Sequence, residues 1–340
     1  MLPAEEMPIY RARARRVAYF DNAKLALMAC VVVGHLLKTG GALHRHYARA
    51  LFVLIYSFHM PLFIFVSGLF LGRRTMVRTS VMHRAGFLFL LGMLAKILRA
   101  CSFWVWGKGF DFELLSESGL PWFAFALSAY YVAAWLLRRA DAIVVLGVSV
   151  ILALVAGYVN VIGDMFCLSR IIVFFPFFWL GHILRPTEVR RFFGLTLVRR
   201  VCMVVLVVCA VLCCWRTHTF YVLRRLFIGR LCYAKTHIEG CSALHRLMTY
   251  GMSVLMGTAV LGMIPQGRIP WVTEAGQRTL QVYLLHLEVV DAMRHLHLSR
   301  ALVRMGRWGW MALVPLGLLL TLVLAAPNLA HITRRSSDGS

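Results

Sequence analysis

Lys24 and His35 stand in one apolar stretch, from about Val17 to Leu37, with no charged residue between them. Ionisable groups at such depth cost free energy and are retained for function by default. Eleven residues at about 100° and about 1.5 Å each make three helical turns and a rise of about 16 Å, so the ammonium and the imidazole share one face. Chemically, a histidine can take the proton of a hydroxyl near neutral pH, and a cation can hold an anionic group. Asp21, three residues before Lys24, is within ion-pair range on a helix and balances or orients the lysine. A second apolar span, FHMPLFIFVSG from Phe58 to Gly68, brings His59 toward His35 in the same half of the membrane. Within it Pro61 removes a helix hydrogen bond, and Ser67 with Gly68 forms a small pair suited equally to packing and to substrate. Arg73, Arg74, Arg78 and Arg84 follow, either as a solvated loop or as a clamp for phosphate, for which the guanidinium fork is well shaped.

The segments YFDNAK, VVVGH and FHMPLFIFVSG, between Tyr19 and Gly68, resemble the acyltransferase 3 membrane proteins and are similar in particular to those called fucose 4-O-acetylase and related acetyltransferases. In that family a basic residue, ten intervening residues and a histidine mark the first helix, and Lys24 and His35 match the spacing. The resemblance implies an O-acyltransferase that moves an acetyl group from cytoplasmic acetyl-CoA to a hydroxyl of a cell-surface glycan or a lipid-linked precursor. It implicates His35 in catalysis; His59 beside it, as a second catalytic candidate, and Lys24 with the arginines at 73, 74, 78 and 84, as the CoA-binding candidates, are read from their own positions and chemistry. Ser67 and Gly68 match the family's SG step, which makes Ser67 a candidate for substrate contact as much as for packing. LPWFAFAL at 120–127, SRIIVFFPFFWLG at 169–181 and GQRTLQVYLLH at 276–286 extend the likeness, which makes Arg170 and His286 further substrate-binding candidates. Between about 185 and 245 no segment adds to it. A transporter or exporter of a glycan or small molecule would also place Lys24, His35 and His59 in a polar pathway. A silent membrane partner would keep the same fold.

The elements that must position these residues are transmembrane helices. The chain has 340 residues, 60% of them apolar, with a mean hydropathy of +0.74; an ordinary soluble domain is nearer half apolar. A crossing needs about 20 apolar residues, and the candidates lie at 17–38, 51–71, 81–99, 121–137, 142–159, 170–185, 201–215, 247–264, 279–294 and 309–327. The expectation is an all-α, multi-pass bundle of about ten helices over 17–330, between a basic tail at 1–16 and a polar tail at 331–340. No small-residue cleavage site follows the first span, so it is expected to stay in the mature chain.

Thirty-seven Lys and Arg against fourteen Asp and Glu give a net charge of +23. These charges ring the membrane, and no polar domain offers a groove for nucleic acid. Up to residue 200 arginines crowd the loops on the side of the amino terminus, which places both termini in the cytoplasm; the membrane is expected to be the plasma membrane. Beyond 200 the bias reverses, with Arg216, Arg224, Arg225, Arg230 and Arg246 on the outer side. Either the segment from Phe220 to Tyr233 is re-entrant or interfacial, or outer basic groups serve an anionic acceptor. The nine cysteines show no paired C-x-x-C spacing, so no metal site is expected; Cys232 and Cys241 pair only if their loop meets an oxidising compartment.

Overall fold

A computed structural model describes residues 17–71, 77–107, 121–160 and 166–327, with Gly109, Phe112 and Gly119. Both terminal tails, Arg73, Arg74 and the acids Asp111, Glu113 and Glu117 lie outside the described residues. Among the described residues the chain is all-helical, with fourteen α-helices and no strand. In chain order these are α1 (Ala18–Leu37), α2 (His46–Leu69), α3 (Arg78–Val105), α4 (Trp122–Leu136), α5 (Ala142–Val155), α6 (Leu168–Ile183) and α7 (Pro186–Gly194). There follow α8 (Thr196–Trp215), α9 (Thr217–Phe227), α10 (Ala243–Met263), α11 (Val272–Gly276), α12 (Thr279–His295), α13 (Leu298–Arg304) and α14 (Leu313–Leu324). Every apolar segment expected from the sequence coincides with one of these helices, and α7, α9, α11 and α13 are short additions. Of the described helices, α1, α2, α3 and α8 are long and apolar enough to cross a membrane, and α6 joined to α7 through an 86° bend would make a fifth.

Helix α2 is the hub of the bundle, packing against α1, α6, α8, α9 and α10. Its closest neighbour is α6, and glycine explains why. A Cβ on Gly68 would lie 2.1 Å from the Phe178 carbonyl oxygen, and one on Gly181 would lie 2.1 Å from that of Phe65. Reciprocal glycines let the two backbones touch, as small residues do between membrane helices. The Ser67–Gly68 pair therefore divides its work: Gly68 serves packing, and Ser67 faces a cavity. Gly68→Ala is expected to lower stability by about 1–3 kcal/mol through overpacking, read as a drop in thermal midpoint in detergent.

The YFDNAK segment ties α1 to the stretch before α11. Tyr19 donates to the Leu261 carbonyl at 2.8 Å, and Asn22 donates to Pro265 and Gly267 at 3.0 and 2.9 Å. The Thr273 hydroxyl in turn donates to the Asn22 side-chain Oδ1 at 2.7 Å. A Cβ on Gly276 would lie 2.0 Å from the Asp21 carbonyl oxygen, so this glycine too is fixed by close approach.

The segment from Phe220 to Tyr233 forms the end of the short helix α9 and the turn after it. Helix α9 follows α8 after a single residue and folds back onto α2. Arg224 and Arg49 both lie over the Tyr221 ring, at 3.8 and 4.9 Å, which anchors the fold-back. All nine cysteines are free thiols, so Cys232 and Cys241 do not pair.

Candidate active site

On α1 the positions 24, 28, 31, 35 and 38 recur at three and four residues, which puts them in one stripe. Met28, Val31, His35 and Lys38 of that stripe line a cavity of about 330 Å³. Tyr56, His59, Met60, Phe63 and Ser67 line it from α2, a second stripe of the same period. The remaining wall includes Leu91 of α3, Trp122 and Phe123 of α4, Arg170 of α6, and Tyr283 of α12. This volume lies at the small end of the range for ligand pockets.

His35 is brought to the cavity wall, half-buried. The imidazole stacked toward it belongs to His286, with ring centroids 5.4 Å apart and planes tilted by 54°. His286 is fully buried, at 0% exposure, and stands behind His35 rather than in the lining. Its Nδ1 is 2.9 Å from the carbonyl oxygens of both Val282 and Tyr283. A carbonyl only accepts, so in the neutral ring Nδ1 carries the hydrogen and Nε2 carries the lone pair. That Nε2 is buried without a hydrogen-bond partner. His59 is held in the same way, with Nδ1 2.8 Å from the Ile55 carbonyl oxygen, which leaves its Nε2 as an acceptor as well.

Lys24 lies one turn beyond Met28, outside the lining. Its ammonium is 3.2 Å from Asp21 Oδ1, with the lysine side chain 30% exposed, and 4.9 Å from the centre of the Phe70 ring. Ser67 faces the cavity, and its hydroxyl donates back to the Phe63 carbonyl at 2.9 Å. Arg170 is 5% exposed and its guanidinium lies 4.9 Å from the Trp122 ring centre. The first turn of α6 that carries it is pinned by Ser169, which donates to Gly229 at 2.8 Å. Arg78 opens α3 over the Trp135 ring at 5.5 Å; both it and Arg84 are exposed and away from the cavity.

Two features escaped the sequence. Lys38 shares the Lys24–His35 stripe yet reads, by position, as an ordinary charge at a helix end. Lys96 and Arg99, near the end of α3, are the second, and both are largely buried. Arg99 pairs with Asp291 at 2.7 Å and Glu288 at 3.4 Å on α12, and Asp291 also holds Arg294 at 2.7 Å. The acids Glu288 and Asp291 inside an apolar span were the available signal.

A helical bundle with apolar spans long enough to cross a bilayer, enclosing a cavity lined by His35 and His59, is the architecture of a multi-pass integral membrane protein. The chain matches the model of the acyltransferase domain over residues 17–327 and belongs to the acyltransferase 3 family, whose members are membrane acyltransferases. No curated protein and no solved structure matches the chain.

Proposed function

We propose that the protein is an O-acetyltransferase of the plasma membrane that moves the acetyl group of cytoplasmic acetyl-CoA to a hydroxyl of a cell-surface glycan or lipid-linked precursor. The observation that carries this reading is His35 on the wall of the cavity, backed by the bare Nε2 of His286 and standing on the same stripe as Lys24. The bundle has ten crossings in this reading, both termini are cytoplasmic, and the Lys24 end of α1 faces the cytoplasm.

The acceptor hydroxyl enters beside His35 and attacks the thioester carbonyl carbon while the imidazole takes its proton. The tetrahedral adduct then expels the CoA sulfur, the imidazolium returns the proton to the thiolate, and the products are an acetate ester and CoA thiol. In this reading His286 sets which nitrogen of His35 is the base: its bare Nε2 takes up the His35 N–H when substrate binds, and the other nitrogen of His35 then presents a lone pair to the cavity. Hydrogen bonds of this kind are often long before substrate binds. His59 offers a second acceptor to the acceptor's hydroxyls.

Lys24 takes the phosphates of CoA at the cytoplasmic end. Support comes from its partial exposure and from its contact with Phe70, just before the chain continues toward Arg73 and Arg74. Those two arginines, with Arg78 and Arg84, complete the clamp in this reading. Lys24→Met is expected to raise the KM for acetyl-CoA about tenfold, the order of one charge-assisted hydrogen bond, with the KM for the acceptor unchanged. Asp21→Asn costs less, because that carboxylate only steadies the lysine. An unchanged KM in a destabilised Lys24→Met protein would make Lys24 a structural ion-pair partner.

Orientation is tested by single cysteines placed between 73 and 84 and between 100 and 120. An impermeant reagent is expected to label only the second set from outside intact cells; labelling of the first set inverts the direction of CoA entry. The activity itself is tested in sealed vesicles loaded with labelled acetyl-CoA and presented with envelope glycan outside. Alkali-labile label on the glycan supports transfer, whereas unreacted acetyl-CoA appearing outside supports transport.

A further inference from the structure

Lys38 carries a charge that the acetyl transfer described above does not use. It follows His35 by one turn on the cavity stripe, opens onto the cavity, and has its ammonium 4.8 Å from the centre of the Tyr56 ring and 5.7 Å from that of Phe52. Among the described lining residues the charged side chains are Lys38 and Arg170, and no carboxylate is present. The acids of α12 are engaged elsewhere, Asp291 by Arg99 and Arg294 and Glu288 by Arg99. Lys38 is exposed, so a ligand entering the cavity can reach its ammonium, and aromatic faces compensate that charge only weakly, which leaves it open to an anionic partner.

We infer that Lys38 is the recognition site for an anionic group, a carboxylate or phosphate, carried by the acceptor sugar. This rests on the acyl-transfer reading for the word acceptor, and spacing supports the assignment. Lys38 lies about 21 Å along α1 from Lys24, so a donor whose phosphates sit at Lys24 leaves Lys38 to the other substrate. It lies only about 4.5 Å along the helix from His35, so the anion belongs to the sugar that is acylated or to its immediate neighbour. Tyr56 beneath the ammonium holds it at the cavity wall.

The test measures equilibrium binding to purified protein in detergent, using p-nitrophenyl glucuronide, p-nitrophenyl glucoside and glucose 6-phosphate. Wild type is expected to bind the glucuronide or the phosphate at least about tenfold more tightly than the neutral glucoside, as one charge-assisted contact gives. The carboxylate and phosphate arms tell which anion is preferred. Lys38→Met should abolish the discrimination and Lys38→Glu reverse it, both with unchanged thermal midpoints. Equal binding of all three by wild type, or discrimination retained in Lys38→Met, overturns the inference. So does a Lys38→Met protein whose loss is in acetyl-CoA affinity instead, because the anion would then belong to the donor. Binding needs no chemistry, so the series is repeated on His35→Ala protein. Discrimination there, with no transfer by wild type to any acceptor, would sink the transferase reading and leave the anion site standing.

Discussion

His35→Ala is expected to lower kcat by about 10²–10⁴-fold, the range over which a positioned general base contributes, while the protein inserts and folds as before. The folding half of this expectation follows from where the ring sits. His35 is half-buried on the wall of an existing cavity, so truncation enlarges that space without opening a sealed void in the core. The catalytic half follows from chemistry: an alcohol is a poor nucleophile at its own pKa, and the hydroxyl proton has to leave as the carbon–oxygen bond forms. Transfer at near wild-type rate in a well-folded variant would remove His35 from the reaction. His59→Ala should cost less, because its Nδ1 is committed to the Ile55 carbonyl and it offers the substrate only an acceptor.

The second large effect is expected at His286, and two replacements separate orientation from packing. His286→Leu keeps most of the volume at a fully buried position and removes the acceptor nitrogen. It should lower kcat about a hundredfold, within the range of a mis-set general base, and leave the KM for acetyl-CoA unchanged. His286→Gln returns an oxygen near the place of Nε2 and should recover part of that loss. If both variants instead lose thermal stability together, with kcat falling no further than the folded fraction, His286 is a core residue and His35 is oriented by something else.

The stripe that carries this account was legible because eleven residues close three turns, so Lys24 and His35 had to share a face whatever surrounded them. The partners across the bundle were not legible. His286 follows His35 by hundreds of residues, and only the packing of α12 on α1 sets the two rings 5.4 Å apart. Read from the sequence it was a lining residue for substrate; in the fold it is the ring behind the lining. Gly68 announced a close approach without naming its counterpart, Gly181, and Arg99 could not reveal an acid, Glu288, that lies 189 residues away. The charge reversal beyond residue 200 had two explanations, and the sequence could not show that α9 packs on α2. Lys38 was within reach of sequence reasoning: the argument that joins Lys24 to His35 extends by one more turn.

The most direct measurement incubates purified protein, in detergent and therefore without a membrane to cross, with acetyl-labelled acetyl-CoA and solubilised envelope glycan. The account predicts release of CoA thiol matched one for one by alkali-labile label on the glycan, both lost in His35→Ala. Intact thioester in the presence of the full glycan mixture, or thiol release that is the same with and without His35, would contradict it.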